Sequence, residues 1–376
     1  MILVNTPGSW AYVYPPLRHA EWHGLTPTDL IFPFFLFIIG VAMSFSFTKQ
    51  LSIGMTHHEL HIKVLKRFLI IFGLGLFLTG YPFNIPFSFD KLTTDFRFID
   101  IFRRFQNIRI MGVLARIAIC YLIASIIVLN LKKHQQWALS GLLLAIYWVS
   151  LILAFYLLGN GSTEGGPFTF EDNWVRRIDL LVLGSAHMYK VNGIPFDPEG
   201  LFSTLPAIVT VLLGVFTGDI LRMDSSPRNK TVTLLTWGIV GLIVGWLLNL
   251  GFPFNKQLWS PSYTVFTGGC AALFLSGCYW LMDIRKKTTW AKPFIVFGSN
   301  SIFVFVASGL VVKTILRIKV HLSDDSLVNL YTYIYKSWFV PLAGNMNGSL
   351  LFAITWILIW LGVLWILYQK KIFIKI

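Results

Sequence analysis

The sequence predicts an all-α fold, a polytopic bundle of transmembrane helices. Hydrophobic residues make up 55% of the chain and charged residues 13%, whereas soluble globular chains carry about 25% charged residues. Mean hydropathy is +0.68. The apolar residues fall into long runs, and about 20 such residues cross a hydrocarbon core as a helix. The runs are continuous instead of alternating over about ten residues, which excludes a β-barrel. Aromatics reach 16%, with 14 Trp and 33 Phe, and suit a lipid-facing surface with interfacial belts.

Nine spans are expected, at 28–47, 63–80, 111–131, 137–158, 203–221, 231–250, 261–282, 292–313 and 349–368. The first follows Thr26-Pro-Thr-Asp29, which offers capping side chains and a proline for the first turn. The second follows a basic stretch, and the third carries Arg116 inside its apolar run. Pro195-Phe-Asp-Pro-Glu-Gly200 reads as a turn into the fifth, and Ser260-Pro-Ser262 opens the seventh. Gly298-Ser-Asn-Ser301 interrupts the eighth with small polar residues. Met1-Ile-Leu-Val-Asn5 reads as the last turn of one more helix; with that helix restored the bundle has ten spans and both termini on one side.

The net charge of +14 is distributed as a topology signal. The connections at 48–67, 132–136, 222–230 and 283–292, together with the C-terminus from 369, are short and dense in Lys and Arg. Those at 81–110, 159–202 and 314–348 are long and hold most of the Asp and Glu. The positive-inside rule places the basic set and the C-terminus in the cytosol. Lipid is therefore the expected partner of the basic surface, and nucleic acid is not. The three cysteines, Cys120, Cys270 and Cys278, lie in apolar segments and read as buried thiols. His57, His58 and His61 lack the H-E-x-x-H spacing of a zinc helix and read as a solvated loop, so no metal is expected. Asn160-Gly-Ser and Asn347-Gly-Ser match a short glycosylation sequon on the outer side.

Chemistry concentrates where His19-Ala-Glu-Trp-His23 runs into the first span. An imidazole at His19 can serve as general base or as nucleophile, since histidine titrates near neutrality. Asp29, ten residues on, either orients that ring or caps the helix, and the two roles are compatible. Arg116 lies about 1.5 turns below the outer surface; it either snorkels or meets an anion or carboxylate inside the bundle, with Asp29 at similar depth. Lys256, with Ser260 and Ser262 at a helix N-terminus, favours an anion, or anchors an aromatic belt through Trp259. Asn300 and Ser301 either bind helices together or line a polar path. Asp172, Asp179, Asp197 and Glu199 are solvated charges or contacts for a cationic acceptor.

Several ordered motifs together resemble one family. They are His19-Ala-Glu-Trp-His-Gly-Leu-Thr-Pro-Thr-Asp-Leu-Ile-Phe-Pro-Phe-Phe-Leu-Phe37, Ile110-Met-Gly-Val-Leu-Ala-Arg116-Ile, Arg177-Ile-Asp179, Phe196-Asp-Pro-Glu-Gly200, Leu258-Trp-Ser-Pro-Ser-Tyr263, Asn300-Ser301 and the closing Lys370-Lys-Ile-Phe-Ile-Lys-Ile376. The chain is similar, along nearly its whole length, to the heparan-α-glucosaminide N-acetyltransferase-like transmembrane acyltransferases. The resemblance implies one integral-membrane acyltransferase domain over 1–376. It implies transfer of acetyl from cytosolic acetyl-CoA to an amino sugar on the far side. His19 takes the place of the catalytic histidine, Asn5 that of an active-site asparagine, and Asp29 and Arg116 those of polar residues around the acetyl-CoA channel. Lys256, Ser260, Ser262, Asn300 and Ser301 are assigned to the same cofactor channel. The R-x-x-S-x-D-x-x-R-G-like segment that starts the family's first catalytic helix is missing. The extra luminal region of longer members is also missing, which points to a shorter prokaryotic form in a bacterial cytoplasmic membrane. A homodimer is left open. The rival class is a transporter or channel for an amino sugar or its polymer, which polar groups within spans fit as well.

Overall fold

The computed structural model describes residues 1–85, 99–158, 166–171, 173–322 and 326–374. It is helical throughout its described spans, with two short antiparallel hairpins. The chain runs α1 (Ile2–Asn5), α2 (Ile31–Ser52), α3 (His57–Gly80), α4 (Ile99–Phe105), α5 (Val113–Asn130), α6 (Lys133–Leu158) and α7 (Trp174–Leu183). The hairpin β1 (Lys190–Val191) and β2 (Ile194–Pro195) precedes α8 (Thr204–Arg222), α9 (Pro227–Leu248) and α10 (Pro261–Tyr279). Then come α11 (Lys292–Ser299), α12 (Ser301–Ile315), the hairpin β3 (Lys319–His321) and β4 (Leu327–Asn329), α13 (Leu330–Ile334) and α14 (Val340–Gln369).

Every predicted span falls on helix. Among the described residues seven helical segments are long and apolar enough to cross a membrane, and eight if α11 and α12 form one span bent by 69° at Asn300. The ninth place is α3, where Lys63, Lys66 and Arg67 occupy the first half and leave a shorter apolar part. The chain is thus an integral, multi-pass membrane protein. Asn160 and Asp172 lie outside the described residues. Asn347 falls within α14, its side chain takes the Tyr14 hydroxyl, and Ser349 of the same sequon is buried; a helical, half-buried sequon is a poor loop acceptor.

The core is formed by α2, α5 and α8. Leu36, Ala118, Val211, Leu212 and Val215 are fully enclosed there, and α8 is buried along most of its length. Two glycines set its tightness. A Cβ on Gly40 of α2 would stand 1.9 Å from the Val211 carbonyl oxygen, and one on Gly214 of α8 would stand 1.9 Å from that of Phe37. The two backbones therefore touch, the close approach that small residues allow between membrane helices. By contrast α6 and α9 bury about a fifth of their apolar windows and face lipid. This frame brings the start of α2, the segment before α10 and the turn before α8 to one end of the bundle.

Candidate functional site

The start of α2 is built by local chemistry. Pro27–Leu30 forms a single 3₁₀ turn before the helix. Asp29 Oδ2 accepts from Thr26 N at 3.1 Å and Thr26 Oγ1 at 2.9 Å, fixing that turn, and from Ala20 N at 3.1 Å. Its other oxygen, Oδ1, lies 2.6 Å from His19 Nδ1. One carboxylate, 1% exposed, thus caps the helix and orients the imidazole, while the His19 side chain is 41% exposed. With Asp29 ionised, Nδ1 carries the proton and Nε2 keeps its lone pair.

Lys256 arrives from the segment before α10. Its Nζ lies 3.0 Å from His19 Nδ1, 3.3 Å from Nε2 and 3.5 Å from Asp29 Oδ1. Nδ1 is already a donor, so the bond an ammonium can make to the ring is to Nε2. Burial holds the Lys256 amine below its ordinary value, against the opposing pull of Asp29 and Glu199. The segment is shaped by the two serines: Ser260 Oγ accepts from Tyr263 N and from Asn255 N, and Ser262 Oγ donates to Phe252 O at 2.5 Å. Tyr263 OH closes the unit by donating to the Asp29 carbonyl at 2.6 Å. Ser260 and Ser262 are fully buried and hold the turn that carries Lys256. His23 lies 3.4 Å from the Asn255 side chain, and burial lowers its pKa.

Arg116 is fully buried one layer away. Its Nη2 donates to Gly200 O at 2.9 Å and to Ser203 Oγ, and its guanidinium lies 5.1 Å over the Trp259 ring. Nε and Nη1 have no hydrogen-bond partner among the described residues. Sequence reasoning offered Trp259 as a belt residue; it is 1% exposed, donates to Thr210 Oγ1 and holds a left-handed φ of 53°, a conformation non-glycine residues adopt when surrounding packing enforces it. The acidic residues are also interior. Asp197, fully buried, forms a two-pronged pair with Arg109 (2.9 and 2.6 Å), which also holds Glu199 at 2.5 Å. That pairing raises the Arg109 pKa and, despite burial, lowers that of Glu199. Asp179 accepts from Phe202 N at 3.0 Å, and burial pushes its pKa up to about 6. Arg109 was not read as a site residue, and no local spacing marks its pairing.

The remaining candidates lie elsewhere. Asn5 is exposed and lines a cavity of about 580 Å³ with Trp10, Tyr331 and Tyr335. Asn300 is buried and binds the C-terminal tail: Nδ2 donates to Ile372 O at 3.1 Å, and Oδ1 accepts from Ile374 N at 2.7 Å. Ser301 lines a cavity of about 230 Å³ between α2, α3, α5 and α12, together with Phe35, Leu114 and Tyr121. Towards the basic end this meets a second cavity, of about 190 Å³, edged by Lys63, Lys66 and Arg67; Ser46, Phe47, Arg67 and Tyr121 line both. The Arg67 guanidinium lies 5.0 Å over Tyr121, and its buried Nε has no hydrogen-bond partner among the described residues.

Fold and site define a class: a multi-pass helical membrane protein with a carboxylate-oriented histidine at one end and a basic-mouthed cavity opening at the other. No protein-family model matches the chain. It is 28% identical to the heparan-alpha-glucosaminide N-acetyltransferase of Homo sapiens and 27% identical to that of Mus musculus, over 421 and 422 aligned positions. Each alignment covers the whole chain and 58% of the relative. The chain is a distant relative of these N-acetyltransferases and spans little more than half their length.

Proposed function

We propose that the chain is an acetyltransferase that takes acetyl from acetyl-CoA and delivers it to the amine of an amino sugar, with His19 at the reacting centre. The observation that carries this reading is the His19–Asp29 pair: a half-exposed imidazole, held through Nδ1 by a buried carboxylate, carries an Nε2 lone pair that serves as base once the Lys256 ammonium turns from it to the substrate. This is the orientation that fixes the tautomer of a general base. Alignment of the whole chain with 58% of each of two N-acetyltransferases supports the reaction class.

In the proposed reaction Nε2 removes the proton from the attacking amine while nitrogen bonds to the thioester carbonyl carbon. The carbon–sulfur bond then breaks, and CoA leaves as a thiolate that takes up a proton. In the two-step variant Nε2 itself bonds to the carbonyl carbon, the carbon–sulfur bond breaks and CoA leaves as a thiolate that takes up a proton; the amine then bonds to the acetyl carbon, the Nε2–carbon bond breaks, and the freed Nε2 takes the amine proton. Lys256 Nζ, beside Nε2, supplies a positive charge for the oxyanion of either intermediate. The donor's phosphates meet Lys63, Lys66 and Arg67, and its arm follows the cavity past Ser301 and Tyr121 towards the outer end. The Lys/Arg-rich connections favour a cytosolic basic end, which supports an extracytoplasmic position for His19.

The broken span at Asn300 is the feature a transporter would share. Its amide is engaged by the backbone of Ile372 and Ile374, so the break carries a structural tie at that position. The test is CoA-thiol release by detergent-purified protein given acetyl-CoA and glucosamine. His19→Ala is expected to lower kcat by about 10²–10⁴-fold with the fold intact. Turnover at the wild-type rate would remove His19 from the reaction, and absence of glucosamine-dependent release from the wild type would favour transport.

A further inference from the structure

A second amphipathic site lies on the basic face, beside the donor path, with Phe47 between the two. A cavity of about 610 Å³ opens between the C-terminal ends of α2 and α8 and the start of α6. Its polar edge is an ion cluster. Lys133 Nζ pairs with Asp219 Oδ2, and Arg222 Nη1 reaches Asp219 Oδ1 at 3.2 Å and Ser44 Oγ at 3.0 Å. Two cations share one carboxylate, so the edge is net positive. Lys132, Arg228 and Lys230 add positive charge in the flanking connections, against the one carboxylate of Asp224. Phe47 lies between this cavity and the mouth edged by Lys63 and Arg67 and lines both.

The cavity continues into a groove of about 280 Å³ between α6, α8, α9 and α10. Phe216, Trp137, Trp237 and Ile220 line both spaces. At this junction the Trp137 ring stacks on Phe216 at 3.8 Å and 19°, and faces Trp237 at 5.2 Å and 20°. Both indoles are partly exposed, at 39% and 44%. The groove beyond them is apolar, lined by Leu144, Val240 and Val265, and α6 and α9 border it on the lipid-facing side. Gly141 lines it, and a Cβ there would meet nothing within 4 Å, so the space beside this residue is open.

We propose that this composite cavity binds one anionic phospholipid, its phosphate on Lys133 and Arg222 and one acyl chain in the groove past Trp137. The surroundings at groove depth are hydrocarbon, so an acyl chain is the occupant at hand. Indoles sit at the headgroup boundary, where Trp is enriched. The cations give the headgroup preference, because a basic side chain at the membrane surface strengthens anionic-lipid binding by roughly fivefold. The proposal is independent of the transferase reading and needs no acyl transfer.

The experiment is native mass spectrometry of the delipidated full chain, reloaded with phosphatidylglycerol, phosphatidylethanolamine or glycerol 3-phosphate. One phosphatidylglycerol per chain is expected, retained roughly tenfold over phosphatidylethanolamine, with glycerol 3-phosphate not retained. Lys133→Gln and Arg222→Gln are each expected to lower phosphatidylglycerol occupancy by roughly fivefold. Gly141→Leu, which fills open space and improves helix propensity, is expected to expel the chain and lower retention of both lipids. Equal retention of the two lipids, indifference to Gly141→Leu, or tight binding of glycerol 3-phosphate alone would each overturn the proposal. So would displacement of phosphatidylglycerol by acetyl-CoA that the Lys133 and Arg222 variants abolish, since that would make this the donor's site.

Discussion

Replacing Asp29 by Asn changes one atom of the side chain and reverses its chemistry towards His19. The amide oxygen can take the place of Oδ2 and keep the bonds from Ala20 N, Thr26 N and Thr26 Oγ1, so the capping turn survives. The amide nitrogen then faces Nδ1 of His19, donor against donor, across 2.6 Å. The ring relieves this by taking the other tautomer, with the proton on Nε2 and no lone pair for the amine. A wrong tautomer or lost base costs about 10²–10⁴ in rate, about 3–5 kcal/mol of barrier. The second effect is on Lys256. At 3.5 Å from Oδ1, the gross attraction is about 5 kcal/mol at an effective dielectric near 20, and most of it offsets desolvation. Asp29→Asn should therefore lose about 1–3 kcal/mol of stability. Adding Lys256→Gln should restore much of that stability without restoring activity. The assay is kcat/KM for CoA release beside thermal unfolding in detergent, for both single variants and the double. A folded Asp29→Asn protein with kcat/KM within threefold of wild type would refute the orienting role, and additive stability losses in the double variant would refute the ion pair.

Other consequences follow from the buried groups around this centre. Asp179, about 6 when folded and 3.8 in its ordinary state, is an acid whose folded pKa is raised. Its contribution is fully present below pH 4 and is lost as pH rises through 6, by at most about 3 kcal/mol. Asp179→Asn should flatten the thermal-stability profile between pH 4 and 7, and an unchanged slope would show that Asp179 does not set it. Arg116→Met removes the donor to Ser203 Oγ and one of the donors to Gly200 O, which keeps Thr204 Oγ1 at 2.8 Å, and should cost about 1–3 kcal/mol, a fall of a few degrees in Tm. Arg116→Lys should recover only part of this, because an ammonium can replace the Nη2 donor but lacks the planar guanidinium that lies over Trp259; full recovery would show that charge alone matters. Asn300→Ala removes both bonds to the tail and should cost about 1–3 kcal/mol while exposing Lys370 and Lys371 to trypsin faster. An unchanged cleavage rate would show that the tail is held by other contacts.

What the sequence by itself determined is what local chemistry encodes. Runs of apolar residues require helices in lipid, because backbone groups must be satisfied within the segment, and each of the nine predicted places is helical. The Thr26–Asp29 turn and the His19–Asp29 pair were legible for the same reason: their partners lie within ten residues, and capping chemistry holds them close. Only the tertiary structure decided the rest. Lys256 joins His19 across 237 positions, and Arg116 reaches Gly200 across 84. Both contacts depend on which helix faces pack, and on Gly40 and Gly214 letting α2 touch α8. Trp259 sits beneath Arg116 and not in a belt, Asp197 belongs to Arg109 and not to solvent, and Asn300 ties down the tail. A hydropathy pattern records how apolar each segment is, while these assignments depend on which side of each helix meets which neighbour, information spread over the whole chain and held in no single window.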